Sequence, residues 1–299
     1  MGQLKTIFTP LAHLLPHSTR LSIYRRLGEL RHKAVLGQYA SAVLTETWNG
    51  TLLVASNDFS IGQTLAFQGE YERKKIEQLC TLVNQDTDVL VVGAHVGALA
   101  IPLARRSKAV RAIEANPTTF DFLTKNVGLN HLQNLACLHF AAGDRDGEVE
   151  FLCGSYNSGA SRVKQRNVKG GVYSYDKMVS VVVPMKVLDR EFPDRIFGLI
   201  TMDIEGAETL ALKGMQGLLA RAHAFSVEVV PTHVDKLAAS SKEMLLTQIA
   251  PHFEYAHILG GALSYTRENF PDMFSWIWRR RKEGTGEDVL FLKGTRAAM

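Results

Sequence analysis

Residues 88–97 read Asp-Val-Leu-Val-Val-Gly-Ala-His-Val-Gly, a run of leucine and β-branched side chains that breaks off at Gly93 and Gly97. Such a run is typical of a strand buried on both faces, and glycines let the backbone turn tightly or approach a ligand closely. A helix is predicted to follow, and the free N–H groups of a helix N-terminus favour a polar or anionic ligand. The stretch therefore predicts either a nucleotide-like cofactor site or a plain glycine turn, and it leaves both open.

Strand-like and helix-like segments alternate from this point onward. The predicted strands are 88–92, 109–113, 135–140, 197–202, 225–230, 253–258 and 288–293. Alternation of this kind is typical of a parallel sheet covered by helices on both faces. Residues 147–186 interrupt it with β-rich stretches around a basic segment, 161–171, which would either cover the ligand cleft as a lid or form a loose loop. The fold class is therefore α/β, with a seven-stranded, mostly parallel sheet.

The N-terminal part of the chain has a different pattern. Residues 1 to about 45 carry amphipathic helical periodicity with many arginines, and 51–54 and 59–62 are short alternating runs typical of a small β-meander. We therefore expect an N-terminal extension over residues 1–67 and the main α/β domain over 68–299. The helices would pack on the main domain or against a second copy of the chain, so a homo-oligomer is one alternative.

The composition is that of a globular protein with a full core, since 46% of the 299 residues are hydrophobic and the mean hydropathy is −0.03. No apolar run reaches the roughly 20 residues that span a bilayer, so we expect no membrane span and a cytoplasmic location. The three scattered cysteines predict core positions rather than a disulfide framework or a zinc site. A net charge of +4 permits a nucleic-acid partner without arguing for one.

Polar residues follow the second and third predicted strands. Glu114 and Asn116 come at the end of the second strand, where an acid can accept hydrogen bonds from ribose hydroxyls. Ala142 and Asp144 close the third strand, and a small residue followed by an acid suits an adenine ring whose amino group donates to the carboxylate. Gly-Asp is also an ordinary turn pair, so a simple turn is the alternative here.

Three acids share one short turn after the fourth strand: Asp203, Glu205 and Glu208. Like charges crowded together repel unless they serve a cation, a base role or hydrogen bonds. The first turn of a helix favours acids, which explains Glu205 and Glu208 structurally but not Asp203 at the strand end. His233 ends the next strand. A divalent ion held by Asp203, Glu205 and His233 is conceivable, but acids without a metal are the favoured interpretation.

Several motifs together resemble the FkbM-type family of S-adenosylmethionine-dependent methyltransferases, in the family's order and spacing from about residue 68 to 230. They are the glycine turn, Ile113–Pro117, Asn126–Asn130, Ala142–Gly147, Val187–Asp189 and Met202–Glu208. The last motif, with the pattern D-x-E-G-A-E, is the most specific. The resemblance implies a Rossmann-like class I methyltransferase fold, with S-adenosylmethionine as cofactor and S-adenosylhomocysteine as product. It also implies O-methylation of a hydroxyl on a sugar, a polyketide or another small natural product.

The sequence departs from the family pattern at three positions. The family commonly has an acid two residues before the first glycine of its loop, where this chain has Val91, and an asparagine where it has His95. A lysine is common two residues before the acidic turn, where this chain has Thr201. The usual contact to the cofactor amino group is therefore in question, and His95 is one candidate to replace part of it.

The site residues that follow from the motifs and the resemblance fall into two groups. The expected cofactor-binding positions are Gly93, His95, Gly97, Glu114, Asn116, Ala142 and Asp144. The expected catalytic positions are Asp203, His233 and Glu205. An alcohol must lose its proton during methyl transfer, so Asp203 is the first candidate for a base or substrate anchor, with His233 second and His95 less favoured.

Three other functions remain as alternatives. An RNA methyltransferase is one, because Glu-Ala-Asn-Pro followed by Asn126–Asn130 also resembles tRNA guanosine methyltransferases, and basic stretches at 20–33, 162–169 and 279–282 would then contact phosphates. The sequence lacks the motifs typical of an amino-group target, so a small-molecule hydroxyl is preferred over nucleic acid. A non-catalytic cofactor-binding or scaffold protein is motivated by Val91 and Thr201. A dehydrogenase is disfavoured, because the loop lacks the third glycine of G-x-G-x-x-G.

Overall fold

The structure is a computed structural model that describes residues 35–164, 176–236, 240–261, 263–280 and 285–294, together with the isolated positions Thr19, Ile23 and Arg26. The predicted N-terminal helices and the greater part of the predicted basic segment 161–171 lie outside the described residues. In the described part of the chain, no helix is long and apolar enough to cross a membrane.

The described residues form fourteen strands and ten α-helices. The strands are β1 (Ala42–Thr47), β2 (Gly50–Ala55), β3 (Asp88–Val92), β4 (Ala109–Ile113), β5 (Leu135–Leu138), β6 (Ala141–Ala142), β7 (Gly147–Gly154), β8 (Arg162–Val163), β9 (Met178–Lys186), β10 (Leu199–Met202), β11 (Ala224–Val229), β12 (Tyr255–Ile258), β13 (Ser264–Thr266) and β14 (Glu287–Leu292). The helices are α1 (Ile61–Gln68), α2 (Arg73–Cys80), α3 (Ala100–Ala104), α4 (Pro117–Leu129), α5 (Leu188–Glu191), α6 (Glu208–Lys213), α7 (Gln216–Arg221), α8 (Pro231–Lys236), α9 (Lys242–Ile249) and α10 (Phe270–Arg279). Short 3-10 turns cover Ser158–Ala160, Ala250–His252 and Arg267–Asn269.

Eight strands form the main sheet in the order β5-β4-β3-β10-β11-β14-β12-β13. The five strands from β5 to β11 are parallel, whereas β14 runs antiparallel to both β11 and β12. This is the Rossmann-like, mostly parallel sheet that the resemblance implied, and all seven predicted strands are present in it. The eighth strand, β13, is a short addition that pairs with β12 at the edge.

The core lies on both faces of this sheet, because successive side chains of a strand point to opposite faces. Leu90 and Val92 of β3 belong to the cluster that includes α6, α7 and α10. Val89 and Val91 belong to the other cluster, with α2, α3, α4 and the β1–β2 hairpin. A strand covered on both faces needs the continuous apolar run from which the fold was predicted.

A second sheet of order β6-β9-β7-β8 contains the insertion. The β-rich stretches predicted on either side of the basic segment are confirmed as β7 and β9, which pair along Gly147–Gly154 and Met178–Lys186. The turn after β7 and the strand β8 contribute Asn157, Ser158 and Val163 to the lining of the cleft described below. The predicted closing of this insertion as a lid stays a prediction.

Three local predictions were wrong. Residues 42–45 are strand rather than helix, since β1 pairs with β2 in an antiparallel hairpin from Ala42 opposite Ala55 to Thr47 opposite Gly50. The run 59–62 begins α1 rather than a strand, because the Asp58 carboxylate accepts a hydrogen bond from the Ser60 N–H at 2.8 Å and starts a turn. The helix predicted over 210–219 is divided into α6 and α7. Gly214 lies between the two helices and packs against another segment, since a Cβ atom on it would lie 2.0 Å from the Gly143 carbonyl oxygen.

Candidate active site

One cleft opens at the carboxyl ends of β3, β4 and β10. This is the switch point of the sheet, because the chain leaves β3 toward β4 on one side and returns to β10 on the other. Its lining includes six of the predicted site residues: Gly93, His95, Glu114, Ala142, Asp203 and Glu205. Residues before β3 contribute further wall residues, among them Ile61, Tyr71 and Glu72. The structure therefore brings most of the predicted site together.

The glycine turn brings two strand ends close together. Gly93 has a φ of +88°, and the N–H groups of Gly93 and Ala94 both donate to the Ile113 carbonyl, at 3.0 and 2.8 Å. A Cβ atom on Gly93 would lie 1.8 Å from the carbonyl oxygen of Asp203. Only glycine fits this position, because the turn needs a left-handed backbone and the β10 end packs directly against it.

His95 connects the glycine turn to two other segments. Its Nε2 lies 2.7 Å from the Ser158 hydroxyl, which in turn donates to the Asp58 carboxylate. Because the hydroxyl proton is directed at Asp58, the Ser158 oxygen accepts from His95, so Nε2 carries a proton. Burial lowers the pKa of His95 below its usual value. A neutral His95 ring therefore joins the turn before α1, the glycine turn and the insertion.

Glu114 is fixed by backbone donors at the end of β4. Its two carboxylate oxygens accept hydrogen bonds from the N–H groups of His95 and Asn116, each at 2.8 Å. Burial raises the pKa of Glu114 to about 7, although these backbone hydrogen bonds act in the opposite direction. Ala115 and Ala142 line the same part of the cleft, so the carboxylate is flanked by small side chains that leave space for a ring.

The three acids of the predicted acidic turn have three different environments. Glu208 is 6% exposed and accepts a hydrogen bond from the Gly206 N–H at 2.9 Å, which is the structural role expected in the first turn of a helix. The Glu205 carboxylate lies 3.0 Å from Nδ1 of the buried His233. Asp203 lines the cleft. The described part of the chain contains no group of three or more His, Cys, Asp or Glu arranged to hold a metal ion.

Asp203 has a pKa far from the usual value of an aspartate. Burial raises the pKa of Asp203 to about 7, the Glu205 carboxylate adds to the rise, and the Lys75 ammonium opposes it. A carboxyl group with a pKa near neutrality can take up and release a proton under ordinary conditions. Perturbed acids of this kind concentrate at functional sites.

Four predicted residues lie outside the cleft lining. Gly97 has a left-handed φ of +94° and packs against the Ile101 side chain. The Asn116 side chain caps α4 by accepting hydrogen bonds from the N–H groups of residues 118 and 119. Asp144 is exposed and pairs with Arg145 at 3.3 Å. His233 is 4% exposed and contacts the Glu205 carboxylate through Nδ1. The cofactor or catalytic roles predicted for these residues stay predictions.

The sequence analysis missed a second group of charged residues at the same end of the cleft. Glu228 lines it from β11, and burial raises the pKa of its carboxyl well above the usual value. Glu72, Lys75 and Asp288 line a smaller adjoining cavity under the glycine turn. A signal was present for Glu228, an acid inside the apolar run Ala-Phe-Ser-Val-Glu-Val. Glu72 directly precedes α2, where an acid is common for structural reasons alone, and no local pattern indicates Asp288.

Three residues of the lining adopt a backbone conformation that costs energy for side chains other than glycine. Glu72, His95 and Glu205 have φ values of +48°, +50° and +50°. Such residues persist where surrounding contacts impose the conformation, and they cluster at functional sites. Their presence in one cleft supports a functional role for it.

The titration of Asp203 has a measurable effect on stability. An unfolded aspartate titrates near 3.8, whereas the folded one retains its proton up to about 7. Between these values the folded state binds more protons, so the contribution of Asp203 to stability falls as pH rises. Asp203→Asn removes this titration, and its free energy of unfolding relative to wild type should rise between about pH 5 and about pH 8. Urea unfolding at the two pH values checks this, with the exposed Asp86→Asn as a control that should show no such change.

Comparison with known proteins gives a family match. The model of the methyltransferase FkbM domain matches residues 92–282. A curated relative, the tRNA(Phe) (4-demethylwyosine(37)-C(7)) aminocarboxypropyltransferase of Methanocaldococcus jannaschii, is 36% identical over 85 residues, which are 28% of this chain and 32% of the relative. The chain thus matches about a third of the length of that relative.

Among solved structures, M. jannaschii TYW2 in complex with AdoMet aligns with a TM-score of 0.43 and 12% identity, over 84% of this chain and 85% of that one. The methyltransferase FkbM from Methylobacillus flagellatus aligns with a TM-score of 0.40 and 13% identity, over 95% of this chain and 57% of that one.

The family assignment rests on the extent of the family-model match. The match begins at the last residue of β3 and runs through α10, so it contains the glycine turn, Glu114, the acidic turn and β11. It covers more than half of the 299 residues. The chain belongs to the FkbM family of S-adenosylmethionine-dependent methyltransferases.

Proposed function

We propose that the protein transfers a methyl group from S-adenosylmethionine to a hydroxyl oxygen of a small natural product, such as a sugar or a polyketide. The observation that carries this proposal is Asp203, a carboxyl group with a pKa of about 7 in the same cleft as Glu114. A base of this kind is what an alcohol acceptor requires, because the oxygen must lose its proton as it is methylated.

The residues of the cleft fit the cofactor. Glu114 has carboxylate lone pairs beyond those used by His95 and Asn116, and these suit the ribose hydroxyls. Ala115 and Ala142 leave room for a flat ring. At the other end, four acidic side chains line the cleft, and a positively charged ligand would favour their charged forms: Glu72, Asp203, Glu205 and Glu228. The bound cofactor supplies an electrophilic methyl group on a positively charged sulfur.

The chain's own residues then orient the acceptor and remove its proton. Asp203 in its ionised form accepts a hydrogen bond from the acceptor hydroxyl and takes up its proton. Glu205 is held by His233 at 3.0 Å, which fixes the turn that carries Asp203. The cleft walls restrict the approach of the acceptor, and alignment alone can contribute roughly 7–11 kcal/mol to such a reaction.

Glu114→Gln is expected to weaken cofactor binding by about 10-fold, since it replaces a charged acceptor of hydrogen bonds with a neutral one. The turnover rate at saturating cofactor should change much less, because Glu114 follows β4 and Asp203 follows β10, and β3 lies between these two strands. Calorimetry gives the dissociation constant and a labelled-methyl assay gives the rate. The exposed Glu148→Gln serves as the control for the same chemical change. A fall in turnover with unchanged binding would contradict the assigned role.

The direct test of the acceptor is incubation of the protein with a metabolite extract and methyl-labelled S-adenosylmethionine, followed by mass spectrometry. The proposal expects label in a small molecule, bound to oxygen and stable to conditions that remove methyl esters. Label on nitrogen or carbon, or in macromolecules alone, would contradict O-methylation of a small molecule.

An RNA base is the second candidate acceptor, favoured by the tRNA-modifying relative that is 36% identical over 85 residues. Most residues of the basic stretches 20–33 and 162–169, which would contact phosphates, lie outside the described residues. RNA binding whose affinity falls steeply with salt would support this candidate. Failure to bind RNA at low ionic strength would remove it.

A further inference from the structure

Two of the three departures of this chain from its family pattern lie next to each other. Val91 of β3 and Thr201 of β10 are direct partners in the register of the sheet. Both are buried, at 2% and 5% exposure, and both line the smaller cavity under the glycine turn. The family commonly has an acid and a lysine at these positions, which are opposite charges on adjacent strands. This chain carries neither charge.

A different set of charges is present in the same cavity. Lys75 of α2 is 12% exposed at its side chain, and its ammonium lies 2.7 Å from the Asp288 carboxylate and 3.0 Å from that of Glu72. All three residues line the cavity together with Val91 and Thr201. Burial disfavours the charge on Lys75, but Asp288 and Glu72 outweigh it and raise its pKa. An acid–lysine cluster is therefore present here, but it comes from α2 and β14 rather than from β3 and β10.

Hydrogen bonds from a buried asparagine fix the backbone next to Glu72. Residue Asn49, which is fully buried, donates from its side chain to the Tyr71 carbonyl at 2.9 Å and accepts from the Tyr71 N–H at 2.8 Å. The same side chain donates to the Ala98 carbonyl, just after the glycine turn, at 2.8 Å. Glu72 itself has the left-handed φ of +48°. One buried amide thus ties Glu72 to the loop that the cofactor approaches.

Glu72 is also the carboxylate of its cluster that reaches the main cleft. It lines both the main cleft and the smaller cavity, with 30% of its side chain exposed. The other acids of this end have other partners or are more deeply buried: the Glu205 carboxylate lies 3.0 Å from Nδ1 of His233, and burial raises the pKa of Asp203 and of Glu228, which disfavours their charged forms.

We propose that the Glu72 carboxylate, held by Lys75, accepts hydrogen bonds from the ammonium group of the cofactor's methionine part and so replaces the acid that is absent at Val91. Lys75 acts as a positioning residue, since its contact with Asp288 anchors it on the main sheet. This role rests on the proposed use of S-adenosylmethionine in the cleft. A charge-assisted hydrogen bond of this kind is shorter and stronger than a neutral one.

The test combines one change in the protein, Glu72→Gln, with one change in the ligand, removal of its ammonium group. Dissociation constants of S-adenosylhomocysteine and of its deaminated analogue, in which hydrogen replaces the ammonium group, are measured by calorimetry for wild type and Glu72→Gln. We expect Glu72→Gln to weaken binding of S-adenosylhomocysteine about 10-fold or more and to leave binding of the deaminated analogue unchanged. Equal losses for both ligands, or no loss for either, would overturn the proposal.

Two further variants sharpen the result. Glu70→Gln is the matched control, because Glu70 lies two residues away, pairs with Arg73 at 3.3 Å and lines neither cavity, so both affinities should stay at the wild-type values. If Glu72→Gln does not fold, Glu72→Asp retains the charge and shortens the side chain, and it should lose affinity for the ammonium-bearing ligand alone. A selective loss in Asp203→Asn but not at Glu72 would assign the ammonium contact to Asp203 and overturn the proposal.

Failure of this proposal is distinguishable from failure of the proposed function. If wild type binds both ligands and the Glu72 variants do not discriminate between them, the cleft is a cofactor site and only the role of Glu72 is wrong. If wild type binds neither ligand, the cofactor site itself is refuted, and the role of Glu72 with it.

Discussion

Asp203→Asn should lower the rate of methyl transfer by about 10²- to 10⁴-fold, the usual contribution of a positioned base. The asparagine side chain has nearly the same shape, so the turn between β10 and α6 should fold as before, while the group that takes up the acceptor proton is lost. The rate of label transfer at saturating cofactor and acceptor measures the effect. In wild type the same rate should rise with pH through about 7, because Asp203 must be ionised and burial raises its pKa to that value.

Asp86→Asn is the control for this variant, since Asp86 is exposed in the turn before β3 and the amide change there should leave the rate unaltered. Unchanged transfer by Asp203→Asn would refute the base role. Loss of cofactor binding in step with the rate would show instead that Asp203 binds the cofactor.

Gly93→Ala has the second large expected effect, on stability and on cofactor binding together. A left-handed conformation costs a residue with a Cβ atom about 1–2 kcal/mol. The new methyl group would also lie 1.8 Å from the Asp203 carbonyl oxygen, so the ends of β3 and β10 must separate. Such overpacking adds about 1–3 kcal/mol, so the total loss of unfolding free energy should be about 2–5 kcal/mol. Urea unfolding measures it, and calorimetry should find cofactor binding strongly weakened.

Gly69→Ala separates the two causes. Gly69 has a similar φ of +71°, but a Cβ atom there would meet nothing within 4 Å. Only the conformational cost of about 1–2 kcal/mol should appear, and cofactor binding should remain. Equal losses in the two variants would mean that the close approach of Gly93 to Asp203 has no energetic consequence.

Much of the fold could be predicted because its signals are local. The run at 88–92 is apolar on both faces and ends in glycine, and its neighbours in the sheet repeat the same pattern, so strand positions and fold class followed from the sequence. The failures occurred where local patterns are weak. Residues 42–47 form a strand only because β2 is there to pair with them, and α1 begins at Ile61 because Asp58 caps a turn that an alternating pattern does not reveal.

The candidate site was predictable where residues sit at strand ends. Glu114 and Asp203 follow parallel strands, whose carboxyl ends meet at one edge, and both line the cleft. The Lys75 cluster was not predictable in this way. Asp288 reaches it only because β14 enters the sheet antiparallel between β11 and β12, a pairing that depends on long-range packing rather than on any motif. Asn49 likewise fixes Glu72 through contacts between residues 22 and 49 positions apart.

The most direct test of the central claim is titration of the full chain with S-adenosylmethionine in a calorimeter. A cofactor site at the switch point of the sheet predicts one bound equivalent with a dissociation constant on the order of micromolar. Glu114→Gln should weaken that binding in the same experiment. Absence of any heat of binding up to roughly millimolar ligand, about −4 kcal/mol of binding free energy, would contradict the account.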